Sequence, residues 1–310
     1  MFWYYGVNFG FSFALVLVAA GVAVIAIGVL GHRARPGDIA LFIVALLVLA
    51  AVASSNYTFT SGTEQTFSAT PSQVSSSHIA VLANTNFGSI TINLSNNASL
   101  AYRVVFGKTF SFPFFSFNVG NQSKSFTNKT RNGVLILNAT SSTQSITITL
   151  GAGYQVDVNA TAGTGSITID SASRTQKLGV VYATTGTGSI SATIDSSNLS
   201  YLYLNGGTGS INLQSDYLSP SGRQVPISIS TGTGSLNCNV NVPNNVAVDL
   251  SASNGFGSIS KNLQGFTISE STNNQLKASL GDTTSASRSF VMDLSVGTGS
   301  LNINVATVAP

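Results

Sequence analysis

A four-residue phrase, Gly-Thr-Gly-Ser, returns along this chain at nearly constant spacing, and that return constrains the fold more than any other feature. Its core recurs as Gly88-Ser89-Ile90, Gly165-Ser166-Ile167, Gly188-Ser189-Ile190, Gly209-Ser210-Ile211, Gly234-Ser235-Leu236, Gly257-Ser258-Ile259 and Gly299-Ser300-Leu301, and five of these seven read Gly-Thr-Gly-Ser. From Gly165 to Gly257 the steps are 23, 21, 25 and 23 residues, and the final gap of 42 is twice 21. Ala278-Ser279-Leu280 is read as a degenerate copy inside that gap, and Gln144-Ser145-Ile146 as a further copy 21 residues before Gly165. A fixed period of this length marks an array of stacked units.

Alternation on both sides of the glycines says what each unit is. Two and four residues after the second Gly stand Ile167 and Ile169, Ile211 and Leu213, Leu236 and Cys238, Leu301 and Ile303, with polar Thr168, Asn212, Asn237 and Asn302 between them. Five and seven residues before it stand Ala160 and Val158, Ala183 and Val181, Leu204 and Leu202, Ile229 and Ile227. Each flank therefore reads as a strand with one buried face, and the glycines as a corner that needs positive φ or close backbone stacking. One unit cannot hide its apolar face alone, so neighbours must cover it. The expected fold is all-β, a parallel β-solenoid of about eight or more coils of 21–25 residues over 80–305. A β-sandwich of hairpins is the alternative.

Ahead of the repeats, residues 10–30 are almost wholly apolar and uncharged, long enough to span a bilayer as a helix. Phe2, Trp3, Tyr4 and Tyr5 precede them as interfacial aromatics, a polar turn with Arg33 and Arg35 follows, and 39–53 form a second apolar run. Residues 1–53 are thus expected to form a transmembrane hairpin of two α-helices, with 54–79 a Ser/Thr-rich linker. The arginines belong in the cytoplasm, which puts both termini and the β-domain outside the cell membrane. Ala51-Val52-Ala53 before Ser54 also has the form of a cleavage site, the competing reading of this segment.

Composition narrows function. Only 7% of residues are charged and the formal net charge is +3, which gives no footprint for nucleic acid. With one cysteine and two histidines, neither a disulfide nor a Cys/His metal cluster is available, and no metal, cofactor or catalytic residue is assigned. Cys238 shares its register with Ile169, Leu213 and Ile303 and is expected to be a core thiol. Gly-Thr-Gly-Ser lacks the lysine and helix of a phosphate loop. Asp157, Asp249 and Asp293 fall at mismatched offsets, unlike a calcium β-roll or a glycosidase carboxylate pair.

The repeats resemble the adhesin-type, or toastrack, family of surface domains with Gly-x-Gly-x-Ile repeats. The resemblance covers roughly residues 80–305. It implies a β-solenoid on a cell surface and carries no catalytic residues. Together these readings point to a membrane-anchored, non-catalytic, adhesin-like or structural surface protein. An envelope sensor acting through a membrane partner is the alternative, and a polysaccharide-active enzyme the third. The expected partners are the membrane and either surface glycans or another envelope protein.

Two sets of candidate site residues follow. The Phe-rich, basic stretch 100–132 reads as an end cap, and alternatively as a contact surface of Arg103, Lys108, Phe112, Phe114, Phe115, Lys124, Lys129 and Arg131. Asn-x-Ser/Thr sequons stand at Asn56, Asn93, Asn97, Asn121, Asn128, Asn138, Asn159 and Asn198; seven of the eight precede residue 160, so glycosylation is expected toward the N-terminal half.

Overall fold

The computed structural model describes residues 64–107, 123–171 and 177–309. The expected transmembrane hairpin, the linker through Thr63, and candidates Lys108, Phe112, Phe114, Phe115, Asn56 and Asn121 lie outside the described residues. No helix among the described residues is long and apolar enough to cross a membrane.

The described chain is all-β. In order, its strands are β1 (Gln65–Ala69), β2 (His78–Phe87), β3 (Ile90–Leu94), β4 (Tyr102–Phe106), β5 (Lys124–Arg131), β6 (Val134–Ser141), β7 (Ile146–Leu150), β8 (Gln155–Thr164), β9 (Ile167–Ser171) and β10 (Lys177–Thr187). They continue as β11 (Ile190–Ile194), β12 (Ser196–Leu199), β13 (Tyr201–Thr208), β14 (Ile211–Ser215), β15 (Leu218–Pro220), β16 (Val225–Pro243), β17 (Ala247–Leu263), β18 (Thr267–Ser271), β19 (Gln275–Leu280) and β20 (Ser289–Val308). Each repeat is a rung: a strand before the corner, the corner, and a strand after it, with glycine at the corner in every rung but the second, where Gln144 takes its place. Rungs 1 to 5 are β2/β3, β6/β7, β8/β9, β10/β11 and β13/β14. In rungs 6, 7 and 8 the strands β16, β17 and β20 run through the corner unbroken.

Neighbouring rungs pair in parallel through both arms, and the sandwich alternative, built from hairpins, does not describe them. The first arms make one face, here sheet A, and the second arms another, sheet B. Between them, Ile146, Ile90, Ile167, Ile190, Ile211, Leu236 and Leu301 follow one another as a buried column, at most 1% exposed. Burying each such side chain is worth roughly 1.5–3 kcal/mol. In the four copies read above, the residues two and four after the corner and five and seven before it thus point inward as the alternation predicts. Cys238 is buried among them at 1% exposure. In rung 7, at the end of the stack, Ile259 is instead half-buried and Lys261 exposed.

Stacking order departs from sequence order. Rung 1 lies between rungs 2 and 3, because β2 pairs with both β6 and β8, and β3 with both β7 and β9. At the far end rung 8 lies between rungs 6 and 7, because β20 pairs with both β16 and β17. The stack therefore runs 2-1-3-4-5-6-8-7. After β3 the chain passes Leu100 on its way into β4, and the return from β7 to β8 crosses it there. Gly151 sits at the crossing: a Cβ there would overlap the Leu100 carbonyl oxygen.

Antiparallel strands close the ends, and Ala278-Ser279-Leu280 is one of them rather than a degenerate rung. β19 lies antiparallel to β17 and β18 antiparallel to β19, extending sheet A. That segment alternates like a rung arm but runs antiparallel to β17 and ends at Leu280 without a second arm in sheet B. At the other end β5 covers β6 in sheet A, while β4 covers β7 and β1 covers β4 in sheet B. Phe106 of β4 is fully buried and packs edge-on to Phe67 at 6.2 Å; Phe126 of β5 lies 4.8 Å from Phe67 and 5.9 Å from Tyr102.

Candidate functional site

The basic candidates are divided between the sheets. Arg103 stands on β4 opposite Thr149 of sheet B, whereas Lys124, Lys129 and Arg131 stand on β5 opposite Ser141, Ile136 and Val134 of sheet A. Among the described residues none of the four is in an ion pair. Lys129 lines a cleft of about 350 Å³ with Asn128, Tyr102 and Gln73.

The sequons are spread as well. Asn93 is half-buried on sheet B, Asn97 accepts the Ser99 N–H through its side chain, and Asn198 is half-buried in β12. Asn128 donates its Nδ2 to the Tyr102 hydroxyl at 2.6 Å, and that nitrogen is the one a glycan would occupy. Asn138 and Asn159 are exposed on the outer face of sheet A, one on each side of Leu82.

The outer face of sheet B is a hydroxyl and amide ladder. Thr91, Thr168, Ser191, Asn212, Asn237 and Asn302 follow one another across it. Asn302 donates to Asn237 at 2.8 Å, Asn304 to Asn239 at 2.6 Å and Asn262 to Asn304 at 2.9 Å. Equivalent residues one strand apart satisfy each other, so these rows stay polar through uncharged groups.

The outer face of sheet A carries a constellation that reading each motif separately does not reveal. Tyr182 and Tyr203, six residues before Gly188 and Gly209, are register partners; their rings stack at 4.7 Å and 9°. Tyr201 lies parallel to Tyr203, 6.5 Å away. On the side of Tyr182 away from Tyr203 is a groove of about 310 Å³, lined by Tyr182, Tyr201 and Val180, by Asp157 and Asn159 of β8, and by Ala80 and Leu82 of β2. Leu82, Asn159 and Tyr182 are in register across three adjacent strands. The short Asn159 thus leaves a slot between a Leu and a Tyr.

Asp157 stands at one end of that slot. Its Oδ2 is 2.7 Å from His78 Nε2, and its Oδ1 accepts the Val180 N–H at 2.9 Å. The register of β10 against β8 shifts between Leu178 and Val181, a bulge that turns the Val180 amide toward the carboxylate. Gly179 makes room: a Cβ there would stand 2.7 Å from Asp157 Oδ1. The signal was in the sequence as offsets of minus ten, minus eight and minus six from successive glycines, but it needed the rungs side by side.

Several other carboxylates have local structural bonds. Asp195 is buried at 8% exposure and accepts the Asp216 and Tyr217 N–H groups and the Ser215 hydroxyl. Asp282 binds the hydroxyls of Thr284 and Ser285 in a turn, which with the Thr284 N–H holds its carboxyl down at about 2. Glu270 pairs with Lys277 at 2.9 Å. Among the described residues no three His, Cys, Asp or Glu side chains gather as a metal site.

No family model matches the chain, and no curated protein does. Solved structures that resemble it include two from bacteria. One is a candidate cell adhesion protein from Clostridium sporogenes, with a TM-score of 0.49 at 16% identity over 78% of this chain and 99% of that one. The other is a candidate adhesin from Bacteroides fragilis, with a TM-score of 0.29 at 14% identity over 78% of this chain and 97% of that one.

Proposed function

We propose that the chain is a membrane-anchored surface protein whose β-domain, a short parallel β-solenoid, serves as a non-catalytic adhesive or display module outside the cell. One observation carries this reading: rungs locked by glycine corners hold two broad outer faces of regularly spaced hydroxyl, amide and aromatic groups. Such an array contacts a partner through many weak, repeated interactions rather than one reactive centre. The apolar runs 10–30 and 39–53 supply the anchor, and Arg33 and Arg35 in the turn between them favour a cytoplasmic turn and an external domain.

The reading is tested on intact cells that produce the full chain. External protease is expected to remove the β-domain without lysis, and producing cells are expected to attach to immobilised target cells more than non-producing cells do. A β-domain protected until lysis, or attachment equal to that of non-producing cells, contradicts it.

A further inference from the structure

We infer that the slot between Leu82 and Tyr182 is a binding site for one ring of a neutral saccharide, supplied by another cell or matrix. Strands lie 4.7–4.9 Å apart, so β2 and β10 are roughly 9–10 Å apart across β8. With Asn159 as the floor, that leaves room for a single six-membered ring laid parallel to Tyr182. The groove volume of about 310 Å³ is at the lower end of small-ligand sites.

The lining chemistry selects the ligand. Tyr203 covers one face of Tyr182 and holds its ring upright, and the groove lies against the other face. An aromatic face is the negative side of the ring quadrupole and attracts the weakly positive C–H groups on a sugar ring. Hydroxyls at the ring's edge then meet the Asn159 amide, which has no partner within the described residues, and the unused lone pairs of Asp157. The carboxylate accepts from His78 Nε2 at 2.7 Å and from the Val180 N–H at 2.9 Å, which fixes its oxygens as acceptors for the ring's hydroxyls. A phosphate or sulfate would face Asp157, and a purely apolar ligand would strand Asn159. The Val180 bulge and the Gly179 gap fix Asp157 at this place, an arrangement the general stacking of rungs does not require.

This inference deepens the adhesive reading and rests on it for the source of the saccharide. The test uses the full-length chain in a detergent without a sugar headgroup, and linear tetrasaccharides of glucose, mannose, galactose and N-acetylglucosamine as probes. Saturation-transfer NMR followed by titration is expected to detect binding of at least one. Tyr182→Ala, with an unchanged melting curve, is expected to weaken that binding at least tenfold. Tyr182→Phe, which keeps the ring, is expected to stay within about threefold of the native chain. Absence of transfer to all four probes, or full binding by Tyr182→Ala, overturns the proposal. So does a native mass showing a glycan on Asn159, since the chain's own sugar would then fill the slot. Cells carrying Tyr182→Ala that attach normally would reject the slot and leave the adhesive reading standing. Solution binding without any cell attachment would do the reverse.

Discussion

The corner glycines and the single cysteine show how much one rung position demands. At Gly209 φ is +135°, a conformation that side chains other than hydrogen rarely adopt, and a Cβ would overlap the Gly188 carbonyl oxygen one rung away. Backbone strain of this kind costs about 1–3 kcal/mol before any clash is added. Gly209→Ala is therefore expected to lower unfolding free energy by roughly 3 kcal/mol or more, whereas Gly222→Ala, which meets open space, should change it by less than about 0.5 kcal/mol. Denaturant titration of the full chain measures both. Cys238 is governed by burial, which pushes its thiol up to about 12. An unfolded thiol ionises near about 8.5, so the folded state keeps a proton that the unfolded state loses. The stability this proton confers is present below that pH and falls by about 1.4 kcal/mol per unit toward 12. Native stability should consequently drop faster than that of Cys238→Ala above pH 9, and equal slopes would contradict the burial. Its register with Leu213 and Ile303, legible beforehand, is the reason for both properties.

Among the elements, the caps matter as much as the rungs. An end rung leaves one apolar edge uncovered, and β4 closes it by bringing Phe106 into the core against Phe67. Phe106→Ala is expected to cost about 3–5 kcal/mol by leaving a cavity, while Phe256→Ala, at a residue 77% exposed, should be nearly silent. Thermal unfolding of the two variants separates them, and equal effects would mean that β4 does not bear on the core. The strands β4 and β5 belong to the Phe-rich, basic stretch read from the sequence as an end cap or a contact surface. Within the described residues, Phe106 alone of the phenylalanines that suggested a cap is seen in the core. The stretch's division between two sheets was not legible, since nothing local tells Arg103 and Lys129 which sheet their strands will join. Ala278-Ser279-Leu280 shows the opposite limit: alternation alone imitates a rung arm, and a missing glycine does not decide the matter, because rung 2 turns from β6 into β7 through Ser142-Thr143-Gln144-Ser145 without one.

For the molecule as a whole, the unit was legible and the order of units was not. The alternation around each glycine specifies which face is buried and where the chain bends, but every rung offers its neighbour nearly the same isoleucines and hydroxyls. Sequence order is broken at two places, where β4 and β5 intervene in the chain between rungs 1 and 2 and the β18–β19 hairpin between rungs 7 and 8. The saccharide slot depends on this order, because Leu82 of rung 1 reaches the Asn159 wall only if rung 1 adjoins rung 3. Crosslinking tests that adjacency directly. Thr91 and Thr168 are outward-facing register partners on adjacent strands, whereas Thr147 and Thr168 are separated by β3. Disulfides bridge Cα atoms about 4.4–6.8 Å apart, so one strand spacing fits and two spacings do not. Under mild oxidation the chain bearing Thr91→Cys and Thr168→Cys is expected to form an internal disulfide, and the chain bearing Thr147→Cys and Thr168→Cys to remain reduced. Crosslinking of the second pair and not the first would show rungs stacked in sequence order and contradict the arrangement described.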